Sequence, residues 1–280
     1  MIYTQKEKAQ QFHKLHNTGE LFVLPNIWDP LGAALLENLE YPAIATASAS
    51  VAYSNGLSDG EKITFDEVLN NLGKITNSVN IPVTADIESG YATNNKELEN
   101  NIKRLIEKGI VGINIEDTNR STNNLYTIKA QCDRIKLIKK VSIEMDIPLF
   151  INARTDVFLH EDSYTTEESK FEEILNRGLA YKDAGANCFF PIAITSQENI
   201  QQLFAQLKMP INILTIPGIP DLITLHNLGV VRVSLGPSLL KIAIKAMKHI
   251  ALQFKENQGL STIIENEITS DYLKMLIKKK

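Results

Sequence analysis

Three stretches of the chain end in charged side chains at matching positions: Val83-Thr84-Ala85-Asp86-Ile87-Glu88, Val111-Gly112-Ile113-Asn114-Ile115-Glu116 and Leu149-Phe150-Ile151-Asn152-Ala153-Arg154. In each, apolar residues alternate with small or polar ones, the period-2 pattern of a strand with one apolar and one polar face. Bringing Asp86, Glu88 and Glu116 together is unfavourable by itself, because two carboxylates about 4 Å apart repel by roughly 4 kcal/mol at an effective dielectric of 20. Asp59, in the loop Ser54-Asn55-Gly56-Leu57-Ser58-Asp59-Gly60, can reach the same group, and Asp117 adjoins Glu116. One arginine, Arg154, does not neutralise this many acids, whereas a divalent cation does. All the candidate ligands are oxygens, with no His or Cys at these strand ends, so the expected cofactor is the hard cation Mg2+, with Mn2+ as a substitute. Taken singly, Asp86 reads equally well as a helix cap, Arg154 as the partner of Asp156, and Asp59 as a turn former before Gly60. Charge at one level on three successive strands is harder to assign to packing, since buried unpaired charge is strongly unfavourable.

Strands lying side by side must position these groups. β-rich runs recur at 21–25, 42–48, 81–87, 110–116, 148–154, 187–191, 211–216 and 230–235. Amphipathic helical segments separate many of them, at 64–79, 94–108, 127–145, 167–184 and 196–207, several opened by Thr, Asn or Ser as N-caps. Gly109, Gly185 and Gly229 fall at helix ends, and Pro82 and Pro148 at strand starts. Alternating strands and helices predict parallel pairing. Eight such units predict an α/β fold of the (β/α)8 TIM-barrel type rather than an open dinucleotide-binding sheet, since no G-x-G-x-x-G follows the first run. In a closed barrel the apolar parity faces the helices and the polar parity faces inward, with the strand ends at the catalytic rim. One domain is expected over 1–280, with an N-terminal helix within 1–18 and a helical extension over 258–280, chiefly a helix at 261–277. Such terminal helices either cap the barrel floor or serve an oligomer interface.

Composition narrows the function classes. A net charge of -4 and scattered basic residues leave no footprint for nucleic acid, and Lys278-Lys279-Lys280 reads as a solvated terminus. The opening residues lack a secretory signal and no run approaches the ~18 apolar residues of a membrane span, so a cytoplasmic protein without membrane contact is expected. Cys132 and Cys188 lack metal-ligand spacing. His13, His16, His226 and His249 fall in helices or loops, with His160 just past the fifth strand. The sixth run, Asn187-Cys188-Phe189-Phe190-Pro191, offers no lysine for a Schiff base, and Gly218, Gly236 and Ser238 give only a weak phosphate-loop signal.

At these residues the chain resembles the isocitrate lyase/phosphoenolpyruvate mutase superfamily. The matching pieces are LPNIWDPLGA at 24–33, YSNGLSDG at 53–60, VTADIESGYA at 83–92, GINIEDT at 112–118 and INARTDVFL at 151–159, with IPGIP at 216–220 and GVVRVSLGPSL at 229–239. The resemblance implies Mg2+ held, partly through water, by Asp59, Asp86, Glu88 and Glu116. It implies substrate binding by Arg154, with Thr46, Ala47 and Ser48 at the substrate carboxylate and Asn124, with Arg120 and Asn123, on a gating loop. Arg154, Asp59 and Glu116 are the residues assigned to catalysis. Glu88 stands where many members have Asp. The implied chemistry is cleavage or rearrangement of a C–C or P–C bond at C3 of a small 2-keto acid or phosphonate through a pyruvate enolate, in a homo-oligomer (dimer or tetramer).

One departure bears on the reaction. Isocitrate and methylisocitrate lyases of this superfamily carry a Cys-containing segment soon after the Glu-Asp pair, whereas here Thr118-Asn119-Arg120-Ser121-Thr122-Asn123-Asn124-Leu125 follows, with neither Cys nor His. Isocitrate cleavage is therefore disfavoured. Alternative readings are a 2-methylisocitrate lyase-like enzyme without the usual cysteine, and a metabolite-binding barrel that acts as a scaffold.

Overall fold

The computed structural model describes residues 3–160, 164 and 166–277; Lys278-Lys279-Lys280 lie outside the described residues. The eight expected strands form. They are β1 (Phe22–Leu24, resuming at Asn26–Ile27), β2 (Ile44–Thr46), β3 (Val83–Asp86), β4 (Gly112–Ile115), β5 (Phe150–Thr155), β6 (Cys188–Pro191), β7 (Asn212–Leu214) and β8 (Arg232–Ser234). Neighbours pair in parallel, with registers such as Thr84↔Gly112, Gly112↔Phe150 and Asn152↔Cys188. The first half of β1 pairs with β8 and its second half with β2. Phe189↔Ile211 bridges β6 to β7, and β7 pairs with β8. The ring of strands is thus closed into a (β/α)8 barrel.

The helices follow the expected periodicity. α1 (Gln5–Leu15) precedes the barrel and α2 (Pro30–Asn38) follows β1. The short α3 (Ser48–Ser54) and α4 (Phe65–Ser78) follow β2. Then come α5 (Asn95–Glu107), α6 (Ile128–Glu144), α7 (Glu167–Ala184), α8 (Gln197–Leu207), α9 (Leu222–Asn227) and α10 (Ser238–Lys255). Thr64 and Glu67 form a reciprocal capping box on α4, and Thr127 and Ser196 cap α6 and α8. Gly185 ends α7 at φ 108°, a left-handed conformation that costs a residue without Cβ nothing.

Strand parity is as read. Val83, Ala85, Ile87, Ile113, Ile115, Ile151 and Ala153 are buried in the layer between strands and helices. Inside, a smaller cluster of Leu24, Ala43, Ala45, Phe150 and Cys188 packs with Ala9 and Phe12 of α1. That contact settles the role of α1, which plugs the floor. Gln5 Nε2 donates to the carbonyls of Ile106 (2.7 Å) and Ile110 (3.0 Å). Phe12 meets Phe150 edge-on at 5.1 Å, and His16 stacks on Phe150 at 4.0 Å. Burial, with Arg232 nearby, holds the His16 imidazole well below its ordinary pKa and so neutral.

Gly112 marks the tightest point of this interior. A Cβ there would lie 2.9 Å from Thr84 Oγ1 and 3.0 Å from Phe12 Cε1. Gly112→Ala is expected to destabilise by about 1–3 kcal/mol, read by urea unfolding, because the barrel wall and the plug cannot both retreat. An unchanged unfolding midpoint would contradict this packing.

The C-terminal extension differs from the single helix expected at 261–277. It forms α11 (Leu260–Ile264) and α12 (Ser270–Ile277). Asn266 Oδ1 accepts the Ile268 N–H at 2.9 Å and Thr269 Oγ1 accepts the Tyr272 N–H at 3.1 Å, so local side-chain acceptors restart the helix after a turn. α10 buries none of its residues, and Ile242, Ile244 and Met247 are exposed. α12 lies against α2. Among the described residues, no helix is long and apolar enough to cross a membrane.

Candidate active site

Asp86 ends β3 with its side chain turned into the barrel mouth. Its Oδ2 accepts the Ser48 N–H (3.0 Å) and hydroxyl (2.8 Å), and its Oδ1 accepts from Asn114 Nδ2 at 2.9 Å. Asn114 Oδ1 in turn accepts from Asn152 Nδ2 at 2.9 Å, so inward residues of three successive strands form one network. The Asp86 backbone N–H donates to Thr46 Oγ1 at 3.1 Å. Neither Asp86 nor Asp59 takes part in the ion pairs found among the described residues. Asp59 lines the same cavity from the loop after α3 while keeping an exposed side. Burial of its inner side, and then the nearby Asp86 carboxylate, push its pKa upward.

Arg154 ends β5 within reach of both groups. Its Nε donates to Asp156 Oδ1 at 2.6 Å and its Nη1 stands 3.0 Å from Glu116 Oε2. Burial opposes its charge, but Asp156, Glu116 and Asp86 outweigh burial and keep the guanidinium protonated. Asp156 is itself held by the Thr118 hydroxyl at 2.5 Å.

Glu88 and Glu116 have a partner not assigned to them from the sequence. Residues Thr118–Asn119 and Asn124–Leu125 form a small antiparallel ribbon over the mouth, and Arg120 at its turn reaches between the two acids. Its Nη2 pairs with Glu88 Oε2 at 3.1 Å and also with Glu116 Oε1. Glu88 further accepts the Glu61 N–H (2.7 Å) and the Tyr91 hydroxyl (3.0 Å), on a backbone held at φ 49°. Burial, joined by Asp59, raises its pKa to about 7. Burial also carries Glu116 well above the usual carboxylate range, against the pull of Arg154 and Arg120.

The acids therefore do not gather into one ligand cluster. Among the described residues, no group of three or more His, Cys, Asp or Glu side chains is disposed to hold a metal ion. The reason is physical: a guanidinium on a closed ribbon already supplies positive charge between Glu88 and Glu116. Asp59 and Asp86 have no such ion-pair partner among the described residues, and at Asp59, Glu88 and Glu116 burial is the first cause of the raised pKa, with the neighbouring acids adding to it. The donor set is all-oxygen, the chemistry that suits a hard divalent cation, with Arg120 standing between Glu88 and Glu116.

The barrel mouth holds a cavity of about 320 Å³. Thr46, Ala47, Ser48, Asp59, Asp86 and Arg154 line it, whereas Glu88 and Glu116 are not among its lining residues. Asn124 stands exposed on the ribbon and is not among the lining residues. Asn26, Asn114, Arg232 and Ser234 do line it and were not singled out from the sequence, although Asn114 shows the inward parity of its strand. Asp117 points the other way, into a buried cluster with Arg177 and Tyr181. Cys132 donates to the Ala180 carbonyl at 3.4 Å, in the α6–α7 contact, so it does not stand in for the missing cysteine. His160 lies 3.4 Å from the Thr118 hydroxyl, beneath the ribbon.

A closed parallel barrel with acids and an arginine around a cavity at its C-terminal rim has its polar groups on the face where (β/α)8 enzymes carry their active sites. The chain matches the phosphoenolpyruvate phosphomutase family model over residues 12–255 and belongs to that family. It is 31% identical over 250 residues to an uncharacterised protein of Mycobacterium tuberculosis, covering 89% of this chain and 90% of the relative. It is 26% identical over 249 residues to an oxaloacetate decarboxylase of Ectopseudomonas mendocina, covering 86% and 82%. The crystal structure of a phosphonomutase-like protein of Burkholderia cenocepacia superimposes with a TM-score of 0.83 at 33% identity, covering 88% of this chain and all of the other. Members of this superfamily are lyases and mutases acting on C–C or P–C bonds of small keto or hydroxy acids, and are generally dependent on a divalent metal.

Proposed function

We propose that the protein is a Mg2+-dependent enzyme, with Mn2+ able to substitute, that breaks or rearranges the C–C or P–C bond at C3 of a small 2-keto acid. The observation that carries this reading is the meeting of Asp86, Asp59, Arg154 and the Thr46-Ala47-Ser48 segment on one cavity of about 320 Å³. Asp86 and Asp59 would hold the metal, joined by Glu88 and Glu116 once Arg120 withdraws. The bound ion would supply Lewis-acid stabilisation of the developing enolate oxygen.

The chain's own groups perform the remaining steps. Ser48 and its neighbours orient the substrate carboxylate. Glu116 and Asp156 fix the Arg154 guanidinium from two sides, leaving its free N–H groups to face the oxygen at C2. As the bond at C3 breaks, its electron pair moves into the enolate. With oxaloacetate, carbon dioxide departs and a proton delivered to C3 yields pyruvate. That proton would come from solvent, which reaches the cavity mouth past the exposed side of Asp59. The exposed apolar faces of α10 to α12 support a homo-oligomer.

Incubation with Mg2+ and, separately, oxaloacetate, phosphonopyruvate and 2-methylisocitrate tests this reading. Pyruvate release that stops with EDTA is expected from at least one. The ribbon's lack of Cys and His supports a second reading, a metabolite-binding scaffold, which predicts binding of a keto acid with no turnover of any.

Arg120 adds a prediction. Arg120→Met should tighten Mg2+ binding by the ligand-free protein about tenfold, equivalent to about 1.4 kcal/mol, because the competing cation is removed. Calorimetric titration with Mg2+ measures this, and unchanged or weaker binding would count against displacement of Arg120 by metal.

A further inference from the structure

Rim residues of β3, β5 and β7 each have an inward neighbour two positions earlier. Below Asp86, Arg154 and Leu214 stand Thr84, Asn152 and Asn212, all buried. Thr84 Oγ1, Asn152 Oδ1 and Asn212 Nδ2 have no hydrogen-bond partner. Arg232, only 2% exposed, enters the same space from β8. Its Nε donates to Ser234 Oγ at 3.2 Å, and that hydroxyl donates to Asn212 Oδ1 at 2.9 Å. Its Nη1 has no partner, and Arg232 forms none of the ion pairs found among the described residues.

A buried guanidinium without a counterion is strongly unfavourable unless something completes it. The neighbouring protein groups do not. Burial keeps the Cys188 thiol neutral, pushed up to about 12, and His16 below is a neutral imidazole. Asp86 is the carboxylate whose field reaches Arg232, and it is already committed to Ser48 and Asn114. Yet Arg232, Ser234 and Thr84 line the same cavity as Asp86 and Arg154. One inward step along a strand is about 6.6 Å of chain at 3.3 Å per residue. A short keto acid with an anionic group at each end spans such a depth.

We propose that Arg232 determines specificity by receiving, with Thr84 and Ser234, the second anionic group, carboxylate or phosphonate, of a dianionic 2-keto acid whose keto-acid end lies at the rim beside Asp86 and Arg154. This rests on the functional reading above and deepens it. A keto acid lacking the second charge leaves the guanidinium buried and unmatched, so the site discriminates by that unsatisfied charge. The anion on Arg232 has two possible sources, the substrate itself or a free inorganic oxyanion, which the experiment separates.

Wild type, Arg232→Met and Arg232→Lys are titrated calorimetrically in Mg2+ with oxaloacetate, with monoanionic 2-oxobutyrate, with succinate and with inorganic phosphate. Arg232→Met should weaken oxaloacetate about 10- to 100-fold, the range for losing a hydrogen bond to a charged group, and 2-oxobutyrate less than threefold. Arg232→Lys should recover part of the loss. The melting temperature of unliganded Arg232→Met should be no lower than that of wild type, since an unpaired buried charge has been replaced by an apolar chain of similar length; a marked drop would show a structural arginine and overturn the proposal. Equal weakening of both keto acids would also overturn it, as would Arg232-dependent phosphate binding without effect on oxaloacetate. If wild type binds no keto acid, the functional reading fails, and Arg232-dependent succinate binding then still supports the subsite while its absence removes it.

Discussion

Asp86→Asn is expected to lower Mg2+-dependent pyruvate release by about a thousandfold, the scale of losing a preorganised electrostatic contact at a developing oxyanion. Mg2+ affinity should fall with it. The change is isosteric, and the new amide oxygen can still accept from Ser48, which now donates to Asp86 at 3.0 and 2.8 Å. The fold should survive, as near-native circular dichroism would show. What changes is charge. Among the described residues Asp86 forms no ion pair, unlike Glu116 between Arg154 and Arg120, so Asp86, with Asp59, is a rim carboxylate open to an incoming metal. Steady-state rates and Mg2+ titrations of wild type and variant measure both effects. Near-wild-type rates with EDTA present would remove the metal from the mechanism.

The barrel was legible because alternation and caps are local properties. Val83 to Glu88 shows its two faces to anyone reading every second residue, and Thr64 with Glu67 announces the start of α4. The rim positions of Asp86 and Arg154 follow from the same pattern. The partner of Glu88 and Glu116 was not legible. Arg120 sits in a polar loop with no periodicity, and only the ribbon pairing Asn119↔Asn124 turns it back between two strands. Glu61 was missed for a similar reason: its Oε1 accepts the Ser89 and Tyr91 N–H groups at 3.1 and 3.0 Å across a loop-to-loop contact that no spacing encodes. Arg232 had a readable parity, yet its lack of a counterion is visible only when all its neighbours are in place. The break between α11 and α12 was hidden because Asn266 and Thr269 are also tolerated within a helix.

Glu116 and Asp117 show how one step along a strand separates chemistry from architecture, and the second of them carries the largest expected effect on stability. Asp117 is fully buried, with its Oδ2 accepting from Thr155 Oγ1 (2.7 Å), Tyr181 OH (2.7 Å) and Arg177 Nη1 (3.0 Å), and its Oδ1 from the Asp156 N–H (2.9 Å). It thereby ties the end of β4 to β5 and to α7. Burial raises its pKa, and Arg177 opposes the rise. Asp117→Ala leaves a buried phenol, the Thr155 hydroxyl and a backbone N–H without their acceptor and strips Arg177 of the more deeply buried of its two carboxylates, the other being Glu173 at 2.8 Å, so a loss of about 3–5 kcal/mol is expected. At 2–4 °C per kcal/mol for a chain approaching this size, the melting temperature should fall by roughly 10 °C. Arg177→Met with Asp117→Leu, which removes this buried pair together and leaves the half-buried Glu173 to solvent, should recover part of that loss, because a buried charge stripped of its closest counterion destabilises more than the absence of the pair. Urea unfolding of the three proteins decides it. A cost below about 1 kcal/mol for Asp117→Ala would mean that water replaces the carboxylate, and that the interior behind the rim is less closed than these contacts require.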